Sequence, residues 1–314
     1  MSVRQYDFHG VRLDVDADDD AISDAIDARL RHFRAAGEGE PDVRHEVRIA
    51  ARHTVRRPDG EGRPVYDPPE GEVSYFASGD ALWIDVSGRV QVLATPGLTQ
   101  VSATPAAAAE LWLLTRPMLT IPLVEQLKRR GLYCLHAGAA ARGGRALLLP
   151  GPSGSGKSTL ALALADAGWD FMADDMVFLD RDLQVRAFPD EVDLSPRSAS
   201  WFTALGELGG TPPDGWPKHR VRIEDVLGCD VRMSATPAAL AFPAPGTSDR
   251  SALEPADPGR ALLALAPNVL LTEPESTQAH LDVLGELVRL APAHELATGR
   301  DFGALAARLA RLLE

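Results

Sequence analysis

A glycine-rich octapeptide near the middle of the chain constrains the fold more than any other feature. Residues 151–158 read Gly-Pro-Ser-Gly-Ser-Gly-Lys-Ser and fill every fixed position of the phosphate-binding pattern G-x-x-x-x-G-K-[ST]. The apolar run of residues 145–150 is typical of a buried strand, and residues 159–168 are helix formers that end at a glycine. The sequence therefore predicts a strand, a phosphate-binding loop and a helix in direct succession.

This predicted loop contains the residue types that bind a phosphate chain. Backbone N–H groups converge in a glycine-rich loop, and the positive end of the following helix also attracts anions. Lys157 would reach the β- and γ-phosphates, and the Ser158 hydroxyl would bind Mg²⁺. We therefore expect ATP with Mg²⁺ to bind at nine residues: Gly151, Pro152, Ser153, Gly154, Ser155, Gly156, Lys157, Ser158 and Thr159.

The composition limits the classes of partner. A net charge of −13 over 314 residues argues against nucleic-acid binding, which needs a basic surface, and against docking on anionic membranes. No run reaches the ~18 apolar residues of a membrane span, and the first residues show no apolar signal-peptide core. Its 2 cysteines form no metal-ligand spacing and suit a reducing compartment. We expect a cytoplasmic protein, and self-association as a homo-oligomer stays open.

Hydrophobic patterning divides the chain into three segments. Residues 1–103 combine short alternating strands with one helical stretch, which predicts a small α+β domain. This segment shows no catalytic constellation, so we expect it to recognise a substrate or partner. Residues 104–131 are helical in composition but interrupted at Pro117 and Pro122, which indicates a helical connector. Residues 132–314 form the α/β domain that contains the loop.

Two further strands are predicted beside the loop. Residues 132–141 form one of them, and a Gly143-Gly144 turn leads from it into the strand before the loop. Residues 169–180 form the other and contain two adjacent acids, Asp174 and Asp175. Neighbouring residues on a strand point to opposite faces, so both acids reach one site only where the strand ends. Bound Mg²⁺ would offset the cost of burying them, whereas solvated acids at a turn are the alternative.

These stretches together resemble the kinase domain of HPr kinase/phosphorylase. The similarity covers about residues 132–180: a Leu-His pair, the loop, a helix, a glycine and an Ala-Asp-Asp strand. It implies a P-loop kinase fold of the HPr kinase/phosphoenolpyruvate-carboxykinase type for residues 132–314. A serine hydroxyl is the implied phosphate acceptor. Taken as a whole, the chain is similar to the smaller HPr-kinase-related proteins of bacterial gene clusters.

The resemblance also implies roles for individual residues. Asp174 corresponds to the base that activates the acceptor hydroxyl. Asp175 corresponds to the acid that fixes Ser158 and Mg²⁺. His136 would lie beside both acids and tune the base, although an isolated strand histidine is more often an ordinary structural residue.

The sequence departs from this family after the Ala-Asp-Asp strand. The family signature Glu-x-Arg-Gly-x-Gly is absent, and the corresponding region reads Pro-Asp-Glu-Val-Asp-Leu-Ser-Pro-Arg over residues 189–197. Three acids there are candidates for a further metal carboxylate: Asp190, Glu191 and Asp193. Three basic residues would either neutralise a transferring phosphate or form an exposed charged edge: Lys218, Arg220 and Arg222.

Three functions are compatible with the loop. The leading hypothesis is an ATP-dependent, serine-kinase-like phosphotransferase acting on a hydroxyl of a peptide, protein or small molecule, with products of neighbouring genes as candidate acceptors. The alternative is an ATP-binding regulatory module or ATPase without an acceptor hydroxyl. Asp174 favours the kinase, because nucleotide binding alone needs no acceptor base. Decarboxylating chemistry of the phosphoenolpyruvate-carboxykinase kind is disfavoured, since its arginine-and-metal constellation is missing.

Overall fold

The computed structural model describes residues 3–37, 39–59, 63–66, 73–208, 218–269 and 274–314. The chain has a mixed α/β fold and divides into two units. The first unit comprises Met1–Gly131 with Leu271–Thr277, and the second comprises Leu132–Leu270 with Gln278–Glu314. Within the described ranges, no helix combines the length and apolar character needed to cross a membrane.

The first unit is built on an eight-stranded sheet. Its strands are β1 (Arg4–Phe8), β2 (Val11–Ala17), β3 (Val43–Ile49), β4 (Arg63–Tyr66), β5 (Ser74–Ser78), β6 (Ala81–Val86), β7 (Val90–Thr95) and β8 (Leu98–Ala103). Their order in the sheet is β1-β2-β3-β8-β7-β6-β5-β4. Helix α1 (Asp20–Arg29) follows β2, and the Asp19 carboxylate caps it by accepting from the backbone N–H groups of Ala21 and Ile22.

Three further helices complete the first unit: α2 (Pro105–Ala108), α3 (Leu111–Thr115) and α4 (Pro117–Lys128). The Gln126 side chain of α4 donates to the carbonyl of Thr95 at 2.6 Å and accepts from the N–H of Gly97 at 3.0 Å. Helix α4 also continues through Pro122. Residues 104–131 therefore pack on the first sheet, and the expected interruption occurs at Pro117, where α4 begins, but not at Pro122. Their role as a connector stays a prediction.

The second unit contains the glycine-rich loop. Its strands are β9 (Tyr133–Leu135), β10 (Ala137–Arg142), β11 (Arg145–Pro150), β12 (Asp170–Ala173), β13 (Val177–Leu179), β14 (Val185–Ala187), β15 (Val192–Leu194), β16 (His219–Val221), β17 (Ser234–Pro245), β18 (Ala252–Pro255) and β19 (Ala293–Thr298). Its helices are α5 (Lys157–Asp166), α6 (Pro196–Ala199), α7 (Ile223–Leu227), α8 (Pro258–Leu265), α9 (Pro274–Leu290) and α10 (Phe302–Arg311).

The main sheet of the second unit runs β12-β10-β11-β17-β14-β13-β9, with β19 beside β17 and β18 beside β19. Strands β11, β17 and β19 are parallel, whereas β10 and β11 form the antiparallel hairpin that the Gly-Gly turn predicted. Successive residues of β11 alternate between two cores: Leu148 packs towards α8 and α9, and Leu149 packs towards α5 and α10. The phosphate-loop strand is therefore covered by helices on both faces.

The two strands predicted beside the loop are both shorter than expected, and both break at polar residues. The strand expected over residues 132–141 divides at His136, whose backbone N–H donates to the carbonyl of Asn268 at 2.7 Å. The strand expected over residues 169–180 divides after Ala173, so that residues 174–176 lie between β12 and β13. Both predicted acids therefore lie at a strand end.

Candidate functional site

The glycine-rich loop connects β11 to α5 as the motif predicts. Helix α5 begins at Lys157, with Gly156 as its N-cap at φ 100° and no side chain capping it. Gly154 also has a positive φ of 82°, which residues with a Cβ rarely adopt. Because the first N–H groups of a helix have no intrahelical acceptor, an uncapped start of this kind leaves backbone donors for an anion.

Lys157 is buried against the loop itself. Its Nζ donates to the carbonyl oxygens of Gly151 at 2.7 Å and Pro152 at 3.2 Å, and lies 3.2 Å from Nε2 of His136. Burial lowers the pKa of Lys157, and the nearby charge of Lys218 acts in the same direction, whereas Asp175 and Asp174 act against it. Because these contacts are to neutral groups, the ammonium charge remains available to an incoming anion.

Asp174 lies on the inner side of the site and bonds directly to the loop helix. The Ser158 hydroxyl donates to its Oδ2 at 3.0 Å, while its buried Oδ1 has no hydrogen-bond partner among the described residues. Burial raises the pKa of Asp174 to about 7; the Ser158 hydrogen bond opposes this rise, and the charge of Asp175 adds to it. The acid is therefore poised to change its charge near neutral pH.

Asp175 points the other way and pairs with His136. Its Oδ1 lies 3.2 Å from Nδ1 of His136, and its side chain is 76 % exposed. The expectation that Asp175 fixes Ser158 therefore differs from the structure, in which Asp174 makes that bond. Both acids follow the end of β12 at Ala173, and there they contact different partners: Asp174 contacts Ser158, and Asp175 contacts His136.

His136 connects the outer acid to the lysine. Its Nδ1 faces Asp175 and its Nε2 faces Lys157. Burial lowers the pKa of His136, Asp175 opposes that shift, and Lys157 adds to it. The histidine that sequence reasoning placed beside the acids thus contacts one acid and the lysine, and Lys157 was not expected to be its neighbour.

The antiparallel pair of strands β15 and β16 brings further charges towards the site. Asp193 of β15 pairs with Arg220 of β16 at 3.1 Å, and its charge raises the pKa of Asp174. Lys218, just before β16, lowers the pKa of Lys157. Of the three candidate metal carboxylates, Asp193 is thus placed where it acts on Asp174. A metal-binding role for any of them stays a prediction.

A glycine lies behind the inner acid. A Cβ on Gly138 of β10 would lie 3.0 Å from the backbone carbonyl oxygen of Asp174. Such a distance is tighter than ordinary van der Waals contact, and the neighbour is backbone rather than a movable side-chain tip. Strand β10 can therefore approach the acid this closely because residue 138 has no side chain.

The residues present fit a magnesium-bound nucleotide. The loop offers backbone donors and a buried cation for phosphate, and Ser158 with an acid at 3.0 Å offers oxygen ligands. Among the described residues, no group of three or more His, Cys, Asp or Glu side chains could hold a metal ion. Mg²⁺ is usually held by one or two carboxylates together with phosphate oxygens and water, and Ser158 and Asp174 offer oxygens of this kind.

Two cavities border the loop. One of about 520 Å³, the Phe242 cavity, is lined by Gly151, Pro152 and Phe242, with Arg260 and Glu295 forming an ion pair at 2.9 Å among its lining residues. The other, of about 490 Å³, is the Trp201 cavity, which is lined by Gly154 to Gly156, Thr159 and Trp201. Neither cavity had a signal in the sequence, because each is assembled from segments far apart in the chain.

Comparison with known proteins finds matches among solved structures. No protein-family model matches the chain, and no curated protein matches it. Among solved structures, the chain is similar to the Hpr(Ser) kinase/phosphatase from Coxiella burnetii, at 14 % sequence identity and a TM-score of 0.31. The match covers 57 % of this chain and 93 % of that one.

Proposed function

We propose that the chain is a phosphotransferase that binds Mg²⁺·ATP at residues 151–159 and phosphorylates a hydroxyl, with serine as the favoured acceptor. The observation that carries this proposal is the position of Asp174. One of its oxygens bonds to Ser158 of the phosphate loop, and the other is buried and unpartnered among the described residues. An acid bonded to the loop serine also holds Mg²⁺ in ATPases, so the unpartnered Oδ1 is the part of this observation that favours an acceptor base.

Each residue of the cluster has a distinct task. Mg²⁺·ATP supplies the transferable γ-phosphoryl group, and Ser158 would hold the metal ion. Lys157 provides a buried cation next to the phosphates, where electrostatic stabilisation is strong because water is excluded. Asp174 accepts the proton of the acceptor hydroxyl at Oδ1. A pKa of about 7 suits a general base that works near neutral pH.

The pair formed by His136 and Asp175 positions Lys157. His136 Nδ1 faces Asp175, and His136 Nε2 faces Lys157 Nζ, so the imidazole connects the exposed acid to the buried cation. This arrangement orients the ammonium group without using its charge. Asp175 is the metal-binding acid that the family resemblance implies, whereas Asp174 is the acid that bonds to Ser158, and a magnesium titration of the two variants distinguishes between them.

The test compares two adjacent isosteric variants, Asp174→Asn and Asp175→Asn. Transfer from γ-labelled ATP to water and to the products of neighbouring genes is measured beside ATP affinity over a Mg²⁺ series. We expect Asp174→Asn to keep ATP affinity and lose about 10²–10⁴-fold in transfer. Asp175→Asn should lose less and shift the Mg²⁺ dependence. Transfer by Asp174→Asn at the wild-type rate would leave a nucleotide-binding module as the better description.

We further propose that the first unit recognises the acceptor or another partner. Some buried polar groups of this unit serve internal packing: Arg29, for example, donates to the Thr115 carbonyl at 2.6 Å and to the Thr120 hydroxyl at 2.7 Å. A fragment of residues 132–314 should therefore bind ATP as the full chain does and transfer poorly to its native acceptor. Full transfer by a folded fragment would refute the recognition role.

A further inference from the structure

The Trp201 cavity lies at the far end of the phosphate loop from the lysine's contacts. Lys157 Nζ points to the carbonyls of Gly151 and Pro152, at the beginning of the loop. The cavity is lined instead by Gly154, Gly156 and Thr159, at its end. A phosphate chain with its terminal group near Lys157 would therefore leave the loop towards this cavity.

The wall opposite the loop is aromatic and cationic. The Trp201 ring is 37 % exposed at the cavity and packs against Phe302, with the two ring centroids 6.0 Å apart. The guanidinium carbons of Arg197 and Arg300 lie 5.8 and 5.6 Å from its ring centroid. Both distances are near the outer limit of ~6 Å for a cation–π contact. These groups are therefore held loosely over the ring.

Backbone hydrogen bonds fix the remaining wall. The N–H of Gly246 donates to the carbonyl of Thr298 at 2.9 Å, and the N–H of Arg300 donates to the carbonyl of Asp249 at 2.8 Å. On the loop side, the Thr159 hydroxyl donates to the Ser198 hydroxyl at 3.2 Å. Three segments that are distant in sequence thus form a connected, concave site next to the phosphate loop.

We propose that this cavity binds the base and sugar of the nucleotide. The base stacks on Trp201, and the guanidinium groups of Arg197 and Arg300 lie beside the base. The inference rests on the proposed function, because it assumes that phosphates occupy the loop. A base that lies between Trp201 and a guanidinium group makes two stacking contacts of about 3.5 Å each, so these two groups must be about 7 Å apart. The base therefore enters when one arginine moves outward by an ångström or two, which these long side chains permit.

The test separates the base from the phosphates by using two probes, ADP and inorganic tripolyphosphate. Both affinities are measured for the wild type, for Trp201→Ala and for Trp201→Phe. Trp112→Ala in the first unit is the matched control, since Trp112 is an exposed tryptophan far along the chain from the loop. We expect Trp201→Ala to bind ADP about 5- to 150-fold more weakly, which corresponds to the loss of one base–aromatic stack. Its tripolyphosphate affinity should not change.

The other two variants test whether the effect depends on an aromatic face at position 201. Trp201→Phe keeps an aromatic face and should retain most of the ADP affinity, and Trp112→Ala should match the wild type with both probes. Wild-type ADP affinity in Trp201→Ala, or an equal loss of both probes in it, would overturn the base site while leaving phosphate binding by the loop intact. Failure of the wild type to bind either probe would instead refute the proposed function, and the base site with it.

Discussion

Two buried lysines show how differently the two units use a charge. Lys128 in the first unit contacts the carboxylate of Glu125 at 2.9 Å, and both side chains are fully buried. Lys157 in the second unit contacts two carbonyl oxygens and an imidazole nitrogen. A buried cation paired with a carboxylate is used for folding, whereas one held by neutral groups keeps its charge for a ligand.

The largest expected effect tests the lysine that we regard as structural. Lys128→Met leaves the Glu125 carboxylate buried without its cation and should lower the free energy of unfolding by about 3–5 kcal/mol. Chemical denaturation measures this loss. The double variant Lys128→Met/Glu125→Leu should recover most of it, because two apolar side chains replace the pair. A loss below about 1 kcal/mol in Lys128→Met would contradict the structural role that we assign to Lys128.

Lys157→Met should have the opposite profile. Transfer should fall by about 10²–10³-fold, the usual cost of removing one preorganised charge-stabilising group. The free energy of unfolding should stay the same or rise, since a buried cation without a carboxylate contact is removed. Stabilisation by ADP, measured as a shift in the thermal midpoint, should shrink. Unchanged nucleotide binding and turnover would refute the assignment of the loop.

The pH dependence of stability tests whether the Asp174 carboxyl group stays protonated in the folded protein. Burial holds the folded-state pKa of Asp174 at about 7, above its ordinary value of 3.8. Between these values the folded chain keeps a proton that the unfolded chain has lost. The unliganded protein should therefore lose stability as pH rises from about 4 to about 7, by at most about 1.4 kcal/mol per pH unit. The Asp174→Asn variant, denatured over the same pH range, should lack the part of this loss that Asp174 causes. Identical pH profiles for the variant and the wild type would contradict the raised pKa of Asp174.

The smallest effect is expected at the exposed acid. Asp175→Asn removes a pair that is half exposed on one side and mostly exposed on the other, so the free energy of unfolding should change by less than about 1 kcal/mol. The same denaturation series measures it, with Asp174→Asn as the neighbouring comparison. A larger loss than that of Lys128→Met would mean that the outer pair is structural.

The sequence predicted those parts of the site that depend on local chemistry. The glycine pattern predicted the loop between a strand and a helix, and α5 begins at the motif lysine. The Gly143-Gly144 turn predicted the β10–β11 hairpin. In both cases neighbouring residues alone determine the backbone, because positive φ angles and helix starts are set within a few positions.

The resemblance assigned the Ser158 contact to Asp175, whereas Asp174 makes it, and nothing in the sequence predicted what lines the two cavities. The direction of the Asp174 side chain depends on β12 ending at the preceding residue, Ala173. That end is set by the pairing of β12 with β10 across the sheet. Trp201 borders a cavity because α6, the β17–β18 connection and the start of α10 converge near it. Such contacts depend on long-range packing, for which no short pattern exists.

Gly138 has a consequence for the interpretation of sequence variants. It has no group that binds, titrates or reacts, yet a methyl group at this position would press on the backbone of Asp174. A saturation scan of this chain should therefore mark position 138 as intolerant, beside the lysine and the acids. A scheme that ranks variants by the chemistry of the lost side chain would score alanine at this position as harmless, and it would be wrong.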